Sequence, residues 1–322
     1  MNGENMNKEN KKETVCAVVV TYNRKNLLLE CLEAIRRQTR PVDGIYIIDN
    51  ASDDGTPELL KEKGYIPELP PFNISEPYEI EHKISNLVDG NHINVFYVRM
   101  HENTGGAGGF YEGVKRGYER GYDWLWLMDD DGLPEKDCLM KQMPNRKDIV
   151  TGPYIVESKT MRPVYGKAYN RYRKFPYNSS IYLFRKLFPV TIPFNGFLIN
   201  KEIINEVGFP ESALFYMGDD VEYCIRIIKR GFEIAVREDA IFYHPTSKEY
   251  RYLGDLRVYF VIRNRIYTLV KHYGFGVKLV KNLVKFLYLM FKGQIKPKVL
   301  FLAFKDGFSF RMRHPKEVEG IL

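Results

Sequence analysis

The chain has 322 residues, 44% hydrophobic and 28% charged, with a net charge of +7. This is ordinary globular composition, enough for one large domain or a domain plus an appendage, and the basic excess suits an anionic partner such as a phosphorylated substrate, an acidic membrane face or nucleic acid. No uncharged apolar stretch approaches the roughly 18 residues needed to span a bilayer, and the polar start MNGENMNKENKKETV has no apolar core of a secretory signal.

Residues 1–13 therefore read as a disordered tail, and the protein as soluble or peripheral. The cysteines are Cys16, Cys31, Cys138 and Cys224, with no CxxC pair among them. Three lie in apolar contexts, so free thiols in a reducing compartment are expected. Val15 to Val20 is a continuous apolar run, the mark of a strand buried on both faces. Asn23 is placed to cap the helix that follows, whose inner face is Leu28, Cys31, Leu32 and Ile35 and which Pro41 stops. GIYIIDNASDDGT is a second buried strand ending in polar residues. TPELLKEKG is a short helix with Pro57 in its first turn. Residues 65–90, rich in Pro, Glu and Asn, read as irregular. INVFYVRM is a third strand, HENTGGAGGFYEGVKRGYERG a glycine-rich turn leading into a helix, and YDWLWLMDDDG a fourth strand.

Strands alternating with helices imply a mostly parallel sheet with helices on both faces, and ligands bind such sheets beyond the carboxyl ends of the strands. Thr21–Asn23, Asp49–Ser52, Asn103–Gly109 and Asp129–Asp131 all fall at those ends and should line one cleft. Further on, DIVTGPYIV reads as a strand, and 160–190 as a basic, aromatic stretch suited to an acceptor-side flap. FNGFLINKEIINEVG reads as a strand then a helix. FYMGDDVEYCIRIIKRG places an acidic pair before a helix with Val221, Cys224, Ile225 and Ile228 inside and Gly231 at its end. FEIAVREDAIFYHP gives one or two strands ending in His244. From Lys271 to Arg313 there are ten Lys or Arg and one Asp. Aromatic and aliphatic residues alternate with these lysines at helical spacing, which fits helices lying on an anionic bilayer surface.

Asp129 and Asp131 have the spacing at which two carboxylates leaving a strand both reach a cleft and hold a divalent cation against a substrate phosphate. The plain alternative is a solvated acidic turn, which the buried strand WLWLM just before it makes less attractive. Asp219 and Asp220 fit a helix cap and fit equally a base that accepts a proton from an attacking hydroxyl. His244 alone is more often structural than a ligand. The glycines of NTGGAGGF would let backbone approach a ligand or the sheet, although the spacing matches neither GxGxxG nor a Walker A loop.

Taken together, VVVTYNR, IIDNASDDGT, NTGGAGGF, LMDDDG, FNGFLINKEIINEVG, GDDVEYCIRIIKRG and FYHP resemble an inverting glycosyltransferase of family 2, over about residues 15–270. The combination of GGAGGF, three consecutive Asp and a later His most resembles bacterial galactofuranosyltransferases, with rhamnosyltransferases close behind; YFVIRNRIY also recurs in that group. The resemblance implies an α/β GT-A fold, expected over 14–248; the lysine and aromatic pattern gives residues 249–322 as a C-terminal basic amphipathic helical region, expected to lie on the membrane surface. The resemblance implies that Thr21, Asp49 and Asn50 hold the uridine of a UDP-sugar, with Tyr22 and Asn23 among the donor-binding residues. Asn103, Gly105, Gly106 and Asp130 would line the donor pocket, and Asp129, Asp131 and His244 would ligate Mn²⁺ or Mg²⁺. Asp220 would be the general base, with Asp219 orienting the acceptor or the helix. Many members have two acids where this chain has Asp49 and Asn50. The implied reaction moves galactofuranose from UDP-galactofuranose to a lipid-linked or cell-surface glycan, on the cytoplasmic face of the membrane. Rivals are rhamnose transfer from a dTDP donor and, in another class, a metal-dependent phosphohydrolase or nucleotidyltransferase. A nucleic-acid partner is disfavoured by the acidic cleft. The oligomeric state is left open.

Overall fold

A computed structural model describes residues 12–157, 160–164, 191–245 and 254–322. Most of the expected tail and of the expected flap at 160–190 lies outside the described residues. The sheet has nine strands: β1 (Val15–Thr21), β2 (Gly44–Asp49), β3 (Tyr78–Ser85), β4 (His92–Arg99), β5 (Trp124–Asp129), β6 (Leu133–Pro134), β7 (Ile149–Val156), β8 (Phe197–Asn200) and β9 (Glu233–Tyr243). Their order is β3-β4-β2-β1-β5-β8-β7-β9-β6. Parallel pairing joins β4, β2, β1 and β5 in the centre and β7 to β9, while β8 runs antiparallel between β5 and β7.

The continuous apolar run of β1 is explained by the two cores it feeds. Val15, Ala17 and Val19 pack on one face with Leu28, Cys31, Leu32 and Ile35 of helix α1 (Lys25–Arg36). Cys16, Val18 and Val20 pack on the other face with Phe110 and Val114 of α3 (Gly105–Glu119). Successive side chains of a strand alternate between faces, so only a strand covered on both sides lacks polar positions. The expected inner face of α1 is the observed one. Helix α2 (Thr56–Glu62) has its proline in the first turn, as expected.

Three local expectations need correction. Residues 65–90 contain β3, an edge strand antiparallel to β4. Its sequence YEIEHKIS alternates charged and apolar residues because one side faces solvent, so it lacks the hydrophobic density of the interior strands. Asn23 does not cap α1. It has φ +54° and pairs with Asp53, while the Asp54 carboxylate accepts the Lys25 amide at the helix start. The glycines of GGAGGF form the first turns of α3 rather than a turn before it. A Cβ on Gly109 would lie 2.5 Å from Val20 Cγ1, and one on Gly113 2.3 Å from Val18 Cγ1. The helix thus lies directly on β1 because these positions have no side chain. The expectation of free thiols agrees with the structure: all four cysteines are buried and free, and burial pushes their thiols up.

After the short helix α4 (Cys138–Gln142) and strand β8 come α5 (Lys201–Val207) and α6 (Asp219–Lys229). Tyr223, Cys224, Ile225 and Ile227 are the buried apolar residues of α6, whereas Val221 and Ile228 are only half-buried. The helix turns its acidic Glu222 inward as well, which shifts the inner face from the one that apolar spacing predicts. Helices α7 (Asp255–Tyr273), α8 (Val277–Phe291), α9 (Pro297–Phe308) and α10 (Pro315–Ile321) follow. They share a third core of Tyr259, Phe260, Ile262, Ile266, Leu300 and Ala303. Much of the aromatic pattern after residue 255 is therefore spent on internal packing. Among the described residues, no helix is long and apolar enough to cross a membrane.

Candidate active site

Four strand ends meet at the carboxyl edge of the parallel strands, and the residues there bond to one another. Thr21, at the end of β1, donates its hydroxyl to Asp130 Oδ2 at 2.7 Å. The Asn23 amide donates to Ser52 Oγ at 3.0 Å. Asn50 bridges the end of β2 to the start of α3: its Nδ2 donates to the Gly105 carbonyl at 3.1 Å, and its Oδ1 accepts the Thr104 hydroxyl at 2.9 Å. The segments expected to share a cleft do share one. Tyr22 stands exposed at its rim.

Two of the expected donor residues are used internally. Asp49 is fully buried; its Oδ1 accepts the Ser52 amide, and its Oδ2 accepts Tyr97 Oη at 2.6 Å and Arg99 at 2.9 Å. It fixes the loop after β2. Asn103 Oδ1 accepts the Gly105 amide at 2.8 Å and so ties down the start of α3. Gly106 has open space where a side chain would be, whereas a Cβ on Gly105 would lie 2.1 Å from the Phe215 carbonyl oxygen.

The three acids at the end of β5 have three different environments. Asp129, whose amide donates to Asn195 Oδ1 at 3.2 Å, is raised to about 6 by burial and by the Asp131 charge. Asp130 is fully buried and raised to about 7, burial outweighing Arg24 and the Thr21 hydroxyl. Asp131 is held below the ordinary carboxylate range: burial opposes this, but His244 and Arg24 outweigh it. Its Oδ1 lies 3.2 Å from His244 Nε2. Arg24 reaches Asp131 at 2.7 Å and Asp130 at 3.1 Å. This arginine was quoted in VVVTYNR without a role; the only signal for it was a cation one residue past a strand-end loop.

Asp129, Asp131 and His244 each present a ligand atom within 4.8 Å of the others. The chemistry around His244 fits a cation. Its Nδ1 lies 2.8 Å from the Pro245 carbonyl oxygen and its Nε2 faces a carboxylate, so both ring nitrogens meet acceptors. A neutral imidazole carries one proton and satisfies one of them; the other needs a second proton or a metal ion. Two carboxylates and an imidazole form a donor set that accepts Mn²⁺ or Mg²⁺, with nitrogen favouring the former.

Asp219 and Asp220 open α6 after Gly218, which has φ +93°. Burial raises both carboxyls, to about 8 and about 6, and the nearby Asp129 charge adds to each. Near neutral pH this pair keeps about one proton between its members. The preceding segment is bent: Phe215 has φ +61° and Met217 φ +58°, and with Asn23 and Ala51 they put four of the six non-glycine positive-φ residues among those described at this cleft. Each such residue costs on the order of 1–3 kcal/mol, and such strain collects where geometry is held for function.

Comparison with known proteins agrees with this arrangement. A family model described as glycosyl transferase family 2 matches residues 16–67, and one described as glycosyltransferase-like family 2 matches residues 80–265. Galactofuranosyltransferase GlfT1 of Mycolicibacterium smegmatis is 27% identical over 279 residues, covering 80% of this chain and 83% of that one. GlfT1 of Mycobacterium tuberculosis is 26% identical over 253 residues, covering 74% and 72%. Among solved structures, the mannosyltransferase PcManGT from Pyrobaculum calidifontis, in complex with GDP-Man and Mn²⁺, has a TM-score of 0.53 at 15% identity, covering 95% of this chain and 77% of that one. S. aureus TarS 1–349 in complex with UDP-GlcNAc also has a TM-score of 0.53 at 15% identity, covering 96% and 84%. The second family match alone spans more than half of the chain, and the sheet with its cleft at the carboxyl edge has the architecture of these solved enzymes: the chain belongs to glycosyltransferase family 2 and has the GT-A fold.

Proposed function

We propose that this enzyme transfers galactofuranose from UDP-galactofuranose, with inversion, to a hydroxyl of a lipid-linked or cell-surface glycan. The observation that carries the reading is the constellation of Asp129, Asp131 and His244 at the cleft, with the Asp219–Asp220 pair close enough to feel the Asp129 charge. The donor assignment draws support from the two relatives named galactofuranosyltransferase.

Asp129, Asp131 and His244 would hold the divalent cation, which when bound supplies Lewis-acid neutralisation of the diphosphate leaving group. Arg24 keeps the acids of this cluster turned toward the cleft and brings a fixed positive charge beside it. Thr21, Asn23, Asn50 and the N-terminus of α3 at Gly105–Gly106 form the donor wall, with Tyr22 at its rim. Asp49 and Asn103 act on that wall by holding its backbone. Asp220, the more accessible carboxylate of its pair, accepts the proton of the attacking hydroxyl; a carboxyl raised to about 6 is ionised near neutral pH yet basic enough for that task. Asp219, raised to about 8, retains its proton near neutral pH.

The acceptor side completes the reading. Helix α8 exposes Val277, Val280, Val284, Leu287, Tyr288 and Phe291 along one stripe. Residues 277–304 contain six lysines and no acid. Such a stripe suits the cytoplasmic leaflet of an anionic membrane, where a lipid-linked acceptor is presented.

The direct test offers purified enzyme UDP-galactofuranose and dTDP-rhamnose separately, with Mn²⁺, a synthetic lipid-diphosphate disaccharide acceptor and an Asp131→Ala control. Metal-dependent UDP release with product from the first donor, lost in the control, is expected. Turnover of the dTDP donor alone would replace the sugar while leaving the cleft chemistry in place.

A further inference from the structure

The segment that delivers Asp219 and Asp220 is folded against its own backbone preferences. The Tyr216 amide donates to the Leu214 carbonyl at 2.7 Å, closing a three-residue turn about Phe215, whose φ is +61° and ψ −60°. Met217 follows at φ +58° and Gly218 at φ +93°. Side-chain-bearing residues avoid this region, so the bend needs an outside support.

Helix α7 is that support. Asn264, 2% exposed, places its Nδ2 at 2.9, 2.9 and 2.7 Å from the carbonyl oxygens of Leu214, Tyr216 and Met217. Two N–H bonds serve three acceptors, so this one amide gathers the whole turn. Its Oδ1 has no hydrogen-bond partner among the described residues, so the residue is used for its nitrogen. Arg263, fully buried, adds a bond to the Leu214 carbonyl at 3.1 Å. Further along α7, Lys271 and His272 grip Glu222 of α6 at 3.1 and 3.0 Å. On its other side the turn meets the donor wall: the Ala107 amide donates to the Phe215 carbonyl at 3.3 Å.

We propose that Asn264, backed by Arg263, is a positioning residue for transfer, holding 214–218 so that the Asp219–Asp220 pair and the Gly105–Ala107 wall keep a fixed separation. This rests on the reading of Asp220 as the base. Asn264 acts through three carbonyls and touches none of the residues assigned to the cation. The residue type matters: an aspartate of the same size would set oxygen against oxygen, and an alanine would leave the carbonyls unpaired in a buried site.

The test compares full-length Asn264→Ala, Asn264→Asp and Asp220→Asn with wild type. Both Asn264 variants are expected to lose at least tenfold in kcat at saturating UDP-galactofuranose and acceptor, the aspartate losing more. Their affinity for UDP with Mn²⁺ should stay within threefold, and amides in 212–222 should exchange with deuterium at least tenfold faster while β1, β2 and β5 are unchanged. Wild-type kcat in Asn264→Ala beside an inactive Asp220→Asn would overturn the positioning role and leave the base in place. Full activity in Asp220→Asn would overturn the base and the catalytic part of this proposal with it. Loss of kcat matched by equal loss of UDP affinity and of the melting transition would reduce Asn264 to a fold residue. Unchanged exchange over 212–222 would overturn the proposal whatever the turnover.

Discussion

Asp219 keeps a proton that an exposed aspartate would surrender, and this has a measurable sign. It is 8% exposed and its carboxyl is raised to about 8, whereas in the unfolded chain it titrates near the ordinary value of 3.8. Between those two pH values the folded chain holds more protons than the unfolded one, so this group makes stability fall as pH rises, at up to about 1.4 kcal/mol per pH unit. In Asp219→Asn that slope should vanish. The variant should melt above wild type at pH 8 and close to it at pH 4.5, as thermal scans at the two pH values will read; a constant offset would mean the charge is relieved elsewhere. Glu222 behaves oppositely. Burial would raise it, but the His272 hydrogen bond and the Arg226 and Lys271 charges bring it down to about 2, so its contribution is complete above the ordinary carboxylate pKa and fades as pH falls toward 2. Glu222→Gln removes the buried carboxylate these cations share, leaving Lys271 with the Glu211 carboxylate alone, and should cost roughly 3 kcal/mol at pH 7, measured by urea unfolding.

At the scale of elements, helix α3 is seated by glycines that a sequence shows but cannot place. Gly109→Ala would push a methyl to 2.5 Å from Val20 Cγ1 and 3.0 Å from Asn50 Nδ2. The expected cost is about 1–3 kcal/mol in stability, with weaker UDP binding if the proposed donor wall, which Asn50 braces through the Gly105 carbonyl, is where the nucleotide sits; calorimetry with UDP and Mn²⁺ checks the second effect. The elements legible in the sequence were those whose periodicity carries their burial: the unbroken run of β1 and the Leu28–Ile35 face of α1. The strand-end residues were legible as one cleft, because parallel topology brings carboxyl ends together whatever their spacing in the chain. Strand β3 was missed because an edge strand alternates charge with apolarity and contributes little hydrophobic density. The inward turn of Glu222 was missed because two of its three partners, Lys271 and His272, come from α7, about 50 residues on. Arg24 and Asn264 stood in quoted motifs, yet what they hold, an acid cluster and a strained turn, exists only after folding.

At the scale of the whole molecule, the four C-terminal helices and their connections divide their hydrophobic residues between two tasks. Tyr259, Phe260 and Ile266 fill a core, whereas Phe275, Phe291 and Phe301 stand 84%, 82% and 72% exposed. Replacing these three with serine should leave the melting temperature nearly unchanged and reduce flotation with phosphatidylglycerol vesicles by at least fivefold; flotation equal to wild type would remove these side chains from the proposed membrane contact. The same helices have a second consequence, in the order of events during synthesis. The last strand of the sheet ends at Tyr243, but the support for the turn at 214–218 comes only with Asn264, 50 residues after Leu214. A nascent chain can therefore complete its sheet while its acid pair is still unaimed. Helix α7, which supports that turn, emerges just ahead of the exposed stripe of α8, so on the proposed reading chemical competence and the means to reach a membrane-borne acceptor become available to the new molecule at nearly the same moment.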